Sequence, residues 1–131
     1  MSPATEDSNP QRAEIDRFIL SEIDSVPHLE ALLLLWNSRP KQWSIEELAR
    51  FLYIPADRTR EILQNLQQRE LAVMTFSGCF YNPKSSRDNL MEELDHTYRR
   101  ELVRVSNMIH SKASPAVREF ARAFRFKKDK P

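Results

Sequence analysis

Apolar residues recur three and four positions apart along most of the chain, and this spacing predicts helices. Four helices are expected in the first half, beginning near residues 12, 27, 44 and 56. The second of them, residues 27–38, is apolar almost all round, which is typical of a helix buried at the centre of a domain. Ser44 and Glu47 have the spacing of a capping box, which marks the start of the third helix.

Two short runs of strand-forming residues follow the fourth helix, at 71–76 and 79–82. Ser77 and Gly78 lie between them, and Gly78 is the only glycine in the chain. A two-residue connection that contains glycine is a good hairpin signal, because glycine adopts backbone angles that other residues avoid. The expected fold class is therefore mainly α-helical with a small β-hairpin.

Helical periodicity returns after the hairpin and predicts one long amphipathic helix over residues 85–112. Its apolar residues fall within an arc of about 120°: Leu90, Met91, Leu94, Tyr98, Leu102, Val105, Met108 and Ile109. Three turns of this helix can cover the domain's own core. We expect the rest of the apolar face to pack against a second copy, because twofold dimers are the commonest symmetric assembly. The alternative is a helix buried wholly within one chain.

The pattern divides the chain into four segments. Residues 1–11 are expected to be a disordered polar tail, 12–84 a compact domain, 85–112 the long helix, and 113–131 a short basic amphipathic helix and tail. The basic residues of the last segment are Arg118, Arg122, Arg125, Lys127, Lys128 and Lys130. DNA phosphates or an anionic membrane surface would attract them. The alternative is a solvated tail that balances the acidic N-terminus, since residues 1–24 carry six acids and two bases.

One central segment carries a family resemblance. It reads SIEELARFLYIPADRTREILQNLQQRELAVMTF, with a Glu-Leu-Ala triplet at 47–49, Ile54 in the following turn, and Leu66 and Leu71 around the end of the fourth helix. This segment resembles the winged helix-turn-helix superfamily, particularly the MarR-like and PadR-like bacterial transcriptional regulators. The resemblance implies a winged helix-turn-helix domain with a long C-terminal helix. Tyr53 and Glu70 stand where the family usually has glycine.

The resemblance implies that the exposed face of the fourth helix reads DNA. Arg, Gln and Asn are the side chains that recognise base edges in the major groove, and the expected contact residues are Arg58, Arg60, Glu61, Gln64, Asn65 and Gln68, with Lys84 after the hairpin. The alternatives are an ordinary solvated face or a surface that binds a protein. Asp57 and Glu61 favour the protein partner, because acids repel phosphates.

Composition narrows the function further. The chain has 131 residues, of which 40% are hydrophobic and 30% charged, with a net charge of +1. This excludes a uniformly basic nucleic-acid binder but not a locally basic surface. A single cysteine excludes an intrachain disulfide, and neither a signal peptide nor an apolar span is evident, so a cytoplasmic location is expected.

No residue pattern indicates catalysis. His28, His96, His110 and Cys79 lack metal-ligand spacing, and one glycine cannot form a glycine-rich phosphate loop. We therefore expect no enzymatic activity, no metal and no cofactor. The leading interpretation is a dimeric DNA-binding transcriptional regulator, and the alternative is a winged-helix adaptor that binds a protein and not DNA.

Overall fold

A computed structural model describes residues 10–113 of the chain. Within this range the chain forms six helices and one antiparallel hairpin, so it is mainly α-helical. In chain order these are α1 (Pro10–Glu22), α2 (Val26–Asn37), α3 (Ile45–Leu52), α4 (Ala56–Gln68), β1 (Ala72–Thr75), β2 (Gly78–Tyr81), α5 (Asp88–Arg100) and α6 (Leu102–Ala113). None of the described helices has the length and apolar character that crossing a lipid bilayer requires.

Helix α2 lies at the centre of the core. The hydroxyl of Ser25 caps its first turn by accepting a hydrogen bond from the backbone amide of His28. Leu29, Leu32 and Leu35 are wholly buried, and the helix contacts α3, α4, α5, α6 and β2. The prediction of a central helix from its all-round apolar sequence is confirmed.

Helices α3 and α4 are joined by a short turn. The capping box at the start of α3 is confirmed, because the Ser44 hydroxyl accepts from the Glu47 amide and the Glu47 carboxylate accepts from the Ser44 amide. Tyr53 follows the last residue of α3 as its C-cap, and its backbone is left-handed with φ 58°. The amide of Ile54 then reaches back to the carbonyl of Ala49 at 3.1 Å. This closure turns the chain sharply into α4.

The hairpin lies beside α4 and pairs with the segment before α3. Strands β1 and β2 run antiparallel with Thr75 opposite Gly78, so the two turn residues are Phe76 and Ser77. The predicted hairpin is confirmed, but Gly78 belongs to β2 and not to the turn. Trp43 forms a β-bridge with Cys79. A Cβ on Gly78 would lie 2.8 Å from the carbonyl oxygen of Trp43, so glycine is needed for this close approach.

The C-terminal region differs from the prediction of one continuous helix over residues 85–112, which is wrong. The helix begins at Asp88 and breaks at Glu101, where φ is −129° and ψ is 46°. The guanidinium of Arg12 in α1 donates to both carboxylate oxygens of Glu101, at 2.9 and 3.0 Å. The break lets α6 lie along α1, where Arg104 binds Asp16 at 3.1 Å.

Candidate nucleic-acid interface

Helix α4 separates its apolar and polar residues cleanly. Thr59, Ile62, Leu63 and Leu66 face the core and are wholly buried. Five of the residues predicted to contact DNA are exposed on the other side: Arg58, Arg60, Glu61, Gln64 and Gln68. Lys84, which follows the hairpin, is also exposed. The structure therefore leaves a polar surface available on α4.

The charges on this surface are mixed. A guanidinium nitrogen of Arg58 lies 3.5 Å from the carboxylate of Glu61 one turn later. Asp57 is exposed in the first turn of the helix. A carboxylate there interacts favourably with the positive end of the helix dipole. Arg60 is exposed and lies between these two acids in the sequence. The face can thus meet a polar partner, but its acids oppose strong binding to phosphates.

Asn65 on α4 uses both ends of its side-chain amide for hydrogen bonds within the chain. Its side-chain nitrogen donates to Asp24 at 3.2 Å, and its side-chain oxygen accepts from Arg69 at 3.1 Å. The side chain is half-buried. Since both ends of the amide are already used, Asn65 positions α4 against the loop between α1 and α2.

Arg69 is a structural residue that sequence reasoning missed. Its guanidinium donates to the Ser21 carbonyl at 3.0 Å, to Glu22 at 2.8 Å and to Asp24 at 3.3 Å. These bonds tie the C-terminal end of α4 to the C-terminal end of α1. Partners more than 40 residues away leave no periodic signal in the sequence. The ties fix the orientation of the polar face relative to the rest of the domain.

The hairpin flanks the polar face of α4. The side-chain oxygen of Gln67 accepts from the backbone amide of Met74 in β1 at 2.9 Å. Arg60 and Gln64 share a stripe of the helix with Gln67, because residues three and four apart are neighbours on a helix surface. A partner lying across this stripe would therefore also meet the hairpin.

The predicted dimerisation residues are mostly used inside one chain. Met91, Leu94, Val105 and Ile109 are wholly buried, while Leu90, Tyr98 and Met108 are partly buried against the same core. Leu102 is 51% exposed. Packing against the core of one chain is therefore enough to account for the apolar stripe, and dimerisation stays a prediction.

A second surface feature is a groove of about 480 Å³ between α2, the end of α3 and α5. Leu33, Leu34 and Tyr98 line it together with Phe51 and Tyr53. Phe51 is 59% exposed and Tyr53 is 93% exposed. Sequence reasoning did not find this groove, because it forms from three separate elements.

Among residues 10–113, no three His, Cys, Asp or Glu side chains are placed to hold a metal ion. Burial lowers the pKa of His28 and raises the pKa of the Cys79 thiol, so both favour their neutral forms. The basic residues predicted between 118 and 130 lie outside the described residues. Comparison of the chain with protein-family models, with curated proteins and with solved structures finds no match.

Proposed function

We propose that this protein is a winged helix-turn-helix transcriptional regulator that binds duplex DNA through α4. The observation that carries the proposal is the exposed polar stripe of α4, placed directly after a tight turn and flanked by a hairpin. The elements from α2 to β2 follow one another in the order typical of a winged helix. Trp43, which forms a β-bridge with Cys79, takes the place of the third strand of such a domain. In such domains the N-terminal part of the recognition helix enters the major groove.

The roles of the α4 residues follow from their chemistry. Arg60 and Gln64 are exposed and carry the donors that recognise guanine and adenine edges, respectively. Gln68 and Lys84 lie further along the surface, where phosphate contacts would hold the domain in register. Asn65 acts indirectly, by holding α4 against Asp24.

The experiment that tests this proposal uses the two acids of α4. Asp57→Asn and Glu61→Gln each remove a negative charge near the expected phosphates, so non-specific DNA affinity should rise several-fold at low salt. Arg60→Ala should instead lower affinity, with a lost base contact costing about 1–3 kcal/mol. Fluorescence anisotropy with labelled duplexes measures both changes. The matched control is Glu92→Gln, which removes a negative charge from an exposed residue of α5, away from α4. Unchanged affinity in the Asp57 and Glu61 variants would argue against DNA on this face.

The dimer belongs to the proposal, and Leu102 is the one residue of the predicted stripe that stays exposed. Leu102 and Val103 remain exposed at the joint between α5 and α6, with Val103 70% exposed. Burying apolar surface of this kind stabilises association. We therefore place the dimer contact at this joint.

A protein-binding adaptor is the second candidate function. The apolar groove bounded by Phe51 and Tyr53 favours it, because exposed aromatic residues are enriched at protein interfaces. Replacing the acids of α4 should change binding in opposite directions under the two functions. If α4 binds a protein, Asp57→Asn and Glu61→Gln should weaken a pull-down of that partner, whereas DNA binding predicts stronger non-specific DNA affinity.

A further inference from the structure

The turn of the hairpin presents a single aromatic side chain to solvent. Phe76 is 109% exposed, as fully as a side chain can be. The turn around it is ordered by Thr75, whose hydroxyl donates to the Gly78 carbonyl at 3.2 Å and accepts from the Ser77 amide at 3.1 Å. The hairpin therefore holds Phe76 away from the domain on a defined turn.

The hairpin that carries Phe76 is next to the proposed DNA-reading stripe. Gln67 in α4 accepts a hydrogen bond from the Met74 amide in β1, and β1 packs along α4. Strand β1 is thus beside the stripe, and β2 pairs with β1. A duplex bound along α4 would lie within reach of the turn.

The hairpin cannot hold DNA by charge. Residues 72–81 contain no acidic or basic side chain, so they have no cation to place against phosphates. Proteins that bind the minor groove frequently insert an apolar side chain between base pairs and partly unstack them. Phenylalanine is among the residues used in this way.

We propose that Phe76 inserts between adjacent base pairs in the minor groove beside the site read by α4. This inference rests on the proposed function. It adds a base step in the DNA site at which the protein selects sequence by how easily the two base pairs unstack. Pyrimidine–purine steps such as TA and CA unstack most easily, so the insertion should favour sites with such a step at a fixed distance from the α4 contacts.

The test measures binding of a duplex selected by the full chain from a random pool. Phe76→Ala should lower its affinity by about 5- to 150-fold, the range expected when an aromatic–base stacking contact is lost. The salt dependence should stay unchanged, because phenylalanine carries no charge. Phe76→Leu retains an apolar wedge and should recover part of the affinity. A fluorescent adenine analogue at the proposed step should brighten on binding of the wild type and not of Phe76→Ala.

The outcomes separate this inference from the proposed function. If the wild type binds the duplex and Phe76→Ala binds it equally well, the insertion is wrong while DNA binding by α4 stands. If the wild type binds no duplex at low salt, the proposed function fails and the insertion fails with it. Phe76→Lys is a further control: a hairpin that only lies along phosphates would bind more tightly with the added lysine and gain salt dependence.

Discussion

Replacing Glu70 with glycine should stabilise the protein, because Glu70 occupies a left-handed backbone conformation with φ 62°. Helix α4 ends there in a Schellman motif. The amide of Glu70 donates to the Gln67 carbonyl at 2.9 Å, and the amide of Leu71 donates to the Leu66 carbonyl at 2.9 Å. Glycine usually occupies this position because it has no Cβ to clash with the neighbouring carbonyl.

The size of the effect follows from two opposing costs. A left-handed conformation costs an L-amino acid roughly 1–2 kcal/mol. Glycine loses more backbone freedom on folding, which costs about 0.5–1 kcal/mol. Glu70→Gly should therefore raise the free energy of unfolding by about 0.5–1 kcal/mol, or the melting temperature by about 2–8 °C. The hydrogen bonds of the motif involve only backbone atoms at residue 70, so glycine keeps them.

The matched control is Glu70→Ala, which removes the exposed carboxylate but keeps the Cβ. Urea denaturation followed by circular dichroism should show Glu70→Gly to be more stable than Glu70→Ala. Equal stability of the two variants would refute the reasoning, because the left-handed conformation would then carry no measurable cost.

Three other predictions concern the core, pH and assembly. Leu66→Ala should cost about 2–5 kcal/mol in urea denaturation because Leu66 is wholly buried, and Ala49→Leu should cost about 1–3 kcal/mol by overpacking. Changes near zero in the free energy of unfolding would mean that α3 and α4 do not pack as described. Burial lowers the pKa of His28 from its ordinary 6.5, so the unfolded chain takes up the proton first. Stability is thus full above pH 6.5 and falls below it; His28→Gln should remove that step, and an unchanged pH profile would contradict the cause. Val103→Glu should convert the proposed dimer into folded monomers in sedimentation, whereas a wild type that is monomeric at high concentration would contradict dimerisation.

Local signals predicted much of the fold. The capping box at Ser44, the all-apolar sequence of α2 and the single glycine near the hairpin each act through neighbours in the chain. Their elements appear where expected. The absence of glycine at Tyr53 and Glu70 was a departure from the family pattern, yet the structure has left-handed backbone at both positions. Both turns therefore form even though a residue with a Cβ is unfavourable in the left-handed conformation.

Long-range contacts explain what the sequence could not predict. The apolar stripe continues from Tyr98 to Val105 with helical spacing, so the sequence predicts one continuous helix through Glu101. That break is stabilised by Arg12, which lies 89 residues away. The hydrogen bond of Asn65 to Asp24 could not be predicted for the same reason, because it joins residues 41 positions apart. The periodicity of α4 alone therefore predicted Asn65 to be an exposed contact residue.

A gel shift of the purified full chain with a total genomic fragment library tests DNA binding by α4 most directly. We expect that a limited set of fragments is retained at moderate salt, that many more bind at low salt, and that Arg60→Ala binds the selected set more weakly. No retention at any salt concentration would contradict DNA binding, and retention unaffected by Arg60→Ala would contradict recognition by α4.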